Sequence, residues 1–398
     1  MKFVSRIIFL LFVAIYSLFI SGEMVSSALS KFDAVSESPY RSYYVISIVL
    51  LSIIGILVTK CHFKRGINKP FCAFATIIAM ISIIHLLGAP IPLSKLIVDS
   101  SIFIIPILIY FYFYSVAKDI PPVLFRIAFL GSVLLFLYQY LTIYLQLTIL
   151  SIKGEDATNS QAYIFMYILP LFLLSERKVI RFLSIVFTVA IVISSFKRSG
   201  SIAIILSLAV YYFVNSNGLS LKTICFFIVG AVALFFFVYY VDNSRGGILL
   251  ERISNLEEDQ GSGRLDVYSV TWDLIKQSDA VAMLFGHGWN SVVKDSIMDL
   301  SAHNDGLEIW YDCGLVGFVF YVSFIISLLR KTIHYMKVKT RVAAPFVFSV
   351  CVFMFNTTFA HIILYPMYFI TYALCWGYMS GINVCDNENR NIGISCRH

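Results

Sequence analysis

Apolar residues run along this chain in unbroken blocks, not in the narrow stripes that mark a surface helix. After Lys2 and Arg6 comes a block from Ile7 to Ile20. Others cover about 43–59, 70–88, 96–115, 123–149, 161–174, 180–196, 201–214, 223–241, 308–329, 342–359 and 362–381. A membrane-crossing helix needs about 20 such residues, so the pattern predicts about 12 transmembrane helices. The block from 342 to 381 is too long for one crossing, and Thr357, Thr358 and His361 mark a hairpin inside it. One long stretch, 242–307, is hydrophilic.

Composition strengthens this reading. Hydrophobic residues make up 59% of the 398 positions and charged residues only 13%, against about 45–50% and about 25% in soluble domains. So little charge cannot coat a water-facing surface. A soluble enzyme, a disordered chain, a collagen and a nucleic-acid-binding domain are excluded. The net charge of +7 is then a matter of loops and carries no expectation of nucleic acid. The eight cysteines form no CxxC pair and no zinc-like spacing with histidine. No metal site and no disulfide framework is expected.

Charge also orients the spans, because Lys and Arg concentrate in cytoplasmic loops. With the N-terminus inside, the basic loops Lys60 to Arg65, Arg177-Lys178 and Arg330 through Arg341 all fall inside. The segment 242–307 falls outside, and both termini inside. The first block could pass for a signal peptide, but Ser21-Gly22-Glu23-Met24 is a poor cleavage site, so an uncleaved helix is preferred. The expected organisation is an all-α polytopic membrane protein. It has helices 1–9 over 1–241, a large periplasmic loop at 242–307, helices 10–12 over 308–382 and a cytoplasmic tail over 383–398. Lys197-Arg198 breaks the rule by falling outside. Either the topology slips there, or the side chains snorkel, or cations stand outside because an anion binds there.

Candidate chemistry gathers in residues 242–312. They hold Arg245-Gly246-Gly247, Gly263-Arg264, Gly286-His287-Gly288 (read as a turn) and Ser301-Ala302-His303-Asn304-Asp305. A helical pattern then begins, which places His303 and Asn304 at the mouth of a membrane helix. Glu308 shares a face with Asn304, four residues on. An imidazole with an ordinary pKa near 6.5 could take a proton from a hydroxyl there. The plainer reading is an Asn–His pair that caps the helix with no chemistry. The apolar blocks hold almost no carboxylate, which disfavours an ion-coupled carrier. His85 reads as a hydrogen-bonded core histidine, and Glu23, Asp33 and Glu37 as ordinary loop acids.

His303-Asn304, nine residues, Gly314, two residues and Gly317 resemble the signature of the O-antigen ligase and polymerase superfamily. Lys197-Arg198-Ser199-Gly200 resembles that family's outer-face arginine, and Arg264 with Trp272 its arginine-and-tryptophan loop segment. By motif the resemblance covers residues 190–330. It implies a membrane-embedded, GT-C-like, inverting and metal-independent glycosyltransferase of the bacterial inner membrane. The donor it implies is a sugar chain on undecaprenyl diphosphate.

The resemblance also implies roles. Arg198 and Arg264 would clamp the diphosphate, with Lys197 beside them, Asn304 toward substrate and Arg245 as a third arginine. His303 would be the general base. No cofactor is implied. The partners would be lipid-linked donor and acceptor, membrane lipid and a chain-length regulator protein. Polymerase is the preferred activity, ligase transfer to lipid A–core the alternative, and a flippase or exporter of lipid-linked sugars the reading from another class.

Overall fold

The computed structural model describes residues 2–29, 41–59, 69–88, 93–149, 160–195, 197–216, 263–298, 300–363 and 365–391, with isolated positions 236, 239, 240 and 243. The first eight helices are α1 (Lys2–Leu29), α2 (Arg41–Thr59), α3 (Lys69–Leu87), α4 (Leu93–Val116), α5 (Pro122–Ile149), α6 (Tyr163–Leu173), α7 (Lys178–Ser194) and α8 (Arg198–Asn215). Three shorter helices follow, α9 (Arg264–Gln277), α10 (Ala280–Phe285) and α11 (Ser291–Asp295). The chain then returns to long helices, α12 (Asp305–Lys337), α13 (Ala343–Phe359) and α14 (Pro366–Asn391). Eleven of the twelve apolar blocks have a counterpart helix here, and the block at 223–241 lies almost wholly outside the described residues. Among the described residues, six helices are long and apolar enough to cross a membrane by length and composition.

Contacts show that successive helices alternate in direction. At one end of the bundle, Gln161 reaches the Met24 carbonyl, Arg41 pairs with Glu23, and His85 meets the Phe285 carbonyl. At the opposite end, Thr59 bonds Ser115, Lys118 bonds the Thr59 carbonyl, and Arg341 pairs with Glu176. The segment 263–304 lies at the first end. The basic positions Lys118, Arg177 and Arg341 lie at the second. Lys197 and Arg198 sit at the first end, with the described residues of the polar segment from 263 onward, as the alternation requires.

Aromatic side chains fill the interior. Phe9, Phe12 and Tyr16 of α1 meet Phe113 of α4 and Phe125 and Phe129 of α5. Phe71, Phe74, Phe324, Phe353 and Trp376 form a second cluster. Within a bilayer no water drives helices together, so close packing of this kind carries association. Each aromatic pair adds about 0.5–1.5 kcal/mol. α4 and α14 approach most intimately. A Cβ at Gly377 or Gly381 would collide with the carbonyl oxygens of Tyr110 and Tyr114, a small-xxx-small contact that lets two backbones touch.

Three boundaries differ from the sequence reading. α12 starts at Asp305, runs to Lys337, and is broken at Gly314. The basic run therefore begins inside a helix. Lys331 is no loop cation: its Nζ donates to Tyr110 Oη at 2.9 Å and Ser380 Oγ at 2.7 Å. A long aliphatic stem lets the ammonium find those oxygens from within the bundle. α14 continues to Asn391, through the start of the segment expected as a tail.

Candidate functional site

Four helix N-termini and one turn meet at the first end of the bundle. Ser199, in the opening turn of α8, shares a 2.7 Å hydrogen bond with Tyr163 at the start of α6. Arg264 opens α9, and its charge acts on Tyr163, Tyr268 and His361. Tyr268 Oη donates to the Thr358 carbonyl at 3.1 Å and faces the His303 carbonyl at 3.4 Å. His303 and Asn304 precede α12. His361 stands in the turn between α13 and α14, and its ring stacks on His303 with centroids 4.6 Å apart and planes 19° from parallel.

The backbone at His303 is unusual. Its φ of +52° is left-handed, a conformation that costs a side-chain-bearing residue about 1–3 kcal/mol unless neighbours hold it. Two acids and one amide do so. Glu308 reaches back to accept the Ala302 N–H at 2.6 Å. Asn304 caps α12, taking the Leu307 N–H at 3.1 Å while its Nδ2 donates to the Thr358 carbonyl at 3.1 Å. Asp305 accepts from the Thr357 hydroxyl and from the Ile362 N–H at 3.1 Å. That last pair fixes the turn carrying His361, whose Nδ1 lies 2.9 Å from Ser301 Oγ.

A third acid completes the series. Asp312 accepts the N–H groups of Asn290 at 2.7 Å, Ser291 at 3.0 Å and Val292 at 3.3 Å. Asp305, Glu308 and Asp312 are all fully buried, and their i, i+3, i+7 spacing puts them along one side of α12. The Gly286-His287-Gly288 turn docks on the same segment. His287 and Gly288 donate to the carbonyls of Tyr311 and Asp312, both at 3.0 Å. Gly314, at φ +68°, breaks the helix next to these carbonyls. A Cβ there would run into the backbone of Leu284 and Phe285, so glycine is required twice over.

Electrostatics follows from the placement. Burial, helped by His303, Lys197 and Arg264, pushes the His361 imidazole down to about 3. Desolvation disfavours its charged form, and neighbouring cations add to that. Burial also raises the Tyr268 phenol, partly offset by Arg264.

The sequence-predicted positions within the described residues now have locations. Lys197 is the N-cap of α8 and Arg198 its first residue. Lys197, Arg264 and His303 all act on His361. Asn304 has both ends of its amide engaged in holding the turn. Trp272 packs edge-on against Trp310, with centroids 5.4 Å apart. Arg245 lies outside the described residues, as do Asp33 and Glu37, whereas Glu23 pairs with Arg41 at 3.1 Å. Sequence reasoning gave no site role to His361, Tyr268 or Tyr163. His361 lies 58 positions from His303, and no motif spacing links them. The buried acids were foreshadowed only by Glu308, whose shared face with Asn304 was visible.

The arrangement defines a polytopic helical membrane protein with an imidazole pair set among cations at one rim. Residues 183–322 match the family model described as O-antigen ligase, and over that stretch the resemblance to the O-antigen ligase and polymerase superfamily is shown. The matched stretch contains Lys197, Arg198, Arg264 and His303, and ends before His361. No curated protein matches the chain.

Proposed function

We propose that this protein is an O-antigen polymerase of the bacterial inner membrane, with the His303 rim facing the periplasm and the first and last helices starting and ending on the cytoplasmic side. The donor is a growing polysaccharide on undecaprenyl diphosphate, and the acceptor is a lipid-linked repeat unit. His303 takes the proton from the acceptor hydroxyl as its oxygen attacks the anomeric carbon. The bond from that carbon to the diphosphate breaks, and the electron pair leaves on the diphosphate. Arg264, Arg198 and Lys197 bind the diphosphate and stabilise the charge that grows there, since guanidinium forks match phosphate oxygens. Asn304 holds the turn on which His303 stands, and Arg245 is a further anion ligand.

The observation that carries this reading is the meeting of His303 and His361 with the charges of Lys197 and Arg264 at one rim. No cofactor is required, because the cations supply the charge a divalent metal would supply. A chain-length regulator protein is a further partner in this scheme.

A second reading, ligase transfer of the finished polymer to lipid A–core, is favoured by the description of the matching family. One gel separates them. Lipopolysaccharide from a strain lacking this protein should show core with a single repeat unit. Bare core, with polymer left on the lipid carrier, would instead establish the ligase. A normal ladder would remove both, and a flippase would then be sought in proteoliposomes. Chelator added to the purified enzyme should leave transfer unchanged.

A further inference from the structure

We propose that the protein also carries a binding site for an anionic phospholipid, in the leaflet opposite the His303 rim. A cavity of about 660 Å³ opens between α5, α6 and α7. It exists because α5 packs along α1 and touches α6 only lightly. The wall is apolar, with Leu130, Leu134, Phe172 and Phe187 among its side chains. Its one wall hydroxyl from serine, Ser184, turns inward to the Ile180 carbonyl at 2.8 Å. Two cations break the apolar lining, Arg126 and Arg177, and both stand at the same end.

That end is the one away from His303. Arg126 lies in the opening turns of α5, where the neighbouring Phe125 stacks on Tyr378. Arg177 is the N-cap of α7. Among the described residues no ion pair involves either arginine. The N-termini of α5 and α7 point the positive ends of their dipoles at the same mouth.

Length selects the occupant. Along α5 the lining runs from Val123 to Leu137, and along α7 from Arg177 to Thr188. At about 1.5 Å per residue these runs cover about 21 Å and about 16 Å, between half and about two thirds of the roughly 30 Å hydrocarbon thickness. A slot one leaflet deep, greasy along its length and cationic at its outer mouth, matches an amphiphile with an acyl chain and an anionic headgroup. A second transmembrane helix matches poorly. It would have to cross the whole bilayer and is about 10–12 Å wide. Basic clefts between helices are where anionic headgroups bind on the cytoplasmic side, the side this mouth faces in the proposed orientation. The site is separate from the transfer chemistry and stands whichever activity the rim has.

The test uses the full-length protein in nanodiscs, with native mass spectrometry and thermal melting as readouts. Phosphatidylglycerol should be retained and should raise the melting temperature, and phosphatidylcholine should do neither. The double variant Arg126→Gln with Arg177→Gln should lose at least about tenfold in phosphatidylglycerol affinity, the loss that about 1.4 kcal/mol corresponds to. Leu130→Trp, which fills the slot and keeps both arginines, should lose the bound lipid as well. Equal retention of the two lipids, or full retention by the double variant, would overturn the assignment. So would displacement of phosphatidylglycerol by a polyprenyl phosphate at equal mole fraction, which would mark the slot as a lane for substrate.

Discussion

The two ends of the bundle both gather basic side chains, but they use their acids differently. Away from the His303 rim, Arg341 is shared between Glu176 at 3.4 Å and Asp386 at 3.9 Å. At the rim, the nearby acids Asp305, Glu308 and Asp312 are buried and turned to backbone N–H groups and one hydroxyl. A buried carboxylate needs hydrogen bonds; amide donors engage Asp305, Asp312 and one oxygen of Glu308 without consuming a cation, while among the described residues Glu308 Oε1 has no partner. The charges of Lys197 and Arg264 act on His361 at the same rim. Exposed ion pairs are worth only about 0–1 kcal/mol, so the pairing of Arg341 is local tidying.

The largest expected effect breaks the comparison at its centre. His303→Ala should abolish polymer formation, a loss of about 10²–10⁴-fold from general-base catalysis alone, with expression and melting temperature retained. Arg341→Ala, at the far end, should leave transfer near wild type. In vitro extension of a lipid-linked acceptor reads both. Equal activity in the two variants would remove His303 from the chemistry.

Next come the cations. Removing one donor to a developing negative charge typically costs about 10²–10³-fold, and Arg264→Ala should fall in that range. Arg198→Lys keeps the charge and loses the fork, so a loss of about tenfold or more would identify bidentate phosphate contact. If Arg198→Ala extends the acceptor normally, the clamp does not include that residue.

How much of this could be read beforehand depends on distance along the chain. The helical blocks were legible because lipid demands about 20 apolar residues in a row. His303, Arg264 and Lys197-Arg198 could be singled out because motif spacing is a local property of the chain. The break at Gly314 sat inside the motif, but its cause did not show. It lies in the backbone of Leu284 and Phe285, which only the fold brings alongside. His361 was readable as a hairpin marker and not as the imidazole that stacks on His303, since a ring contact across 58 positions leaves no periodicity. Lys331 was misplaced for a related reason. A positive-inside count treats every lysine near a helix end as a loop charge, and the oxygens of Tyr110 and Ser380 that draw it inward come from two other helices.

The acids of α12 give a third, more moderate test. Asp312→Ala would orphan the N–H groups of Asn290, Ser291 and Val292. Leaving a buried partner unsatisfied costs about 1–3 kcal/mol. Thermal melting should drop by several degrees, and proteolysis should begin in 286–298, the turn these bonds hold. Glu176→Ala removes a carboxylate from Arg341 at the other end and should move the melting temperature by about 1 °C or less, as its exposed pair predicts. Similar losses in the two variants would mean that the acids at the two ends are not used differently.

The smallest effect concerns pH. His361 has an ordinary pKa near 6.5 when unfolded and is pushed down to about 3 in the fold by burial, His303, Lys197 and Arg264. Between those values the unfolded chain holds a proton that the folded chain does not. Stability therefore falls as pH drops through that window and is fully recovered above about 6.5. Between pH 7 and 5 this one group can account for at most about 2 kcal/mol, less for the part of the ring that water reaches. His361→Gln keeps a polar side chain and removes the titration, so its melting temperature should fall less on acidification than that of the wild type. Parallel curves would mean that His361 takes up its proton at the same pH in the folded and unfolded chain, against the downward shift that burial and the neighbouring cations impose.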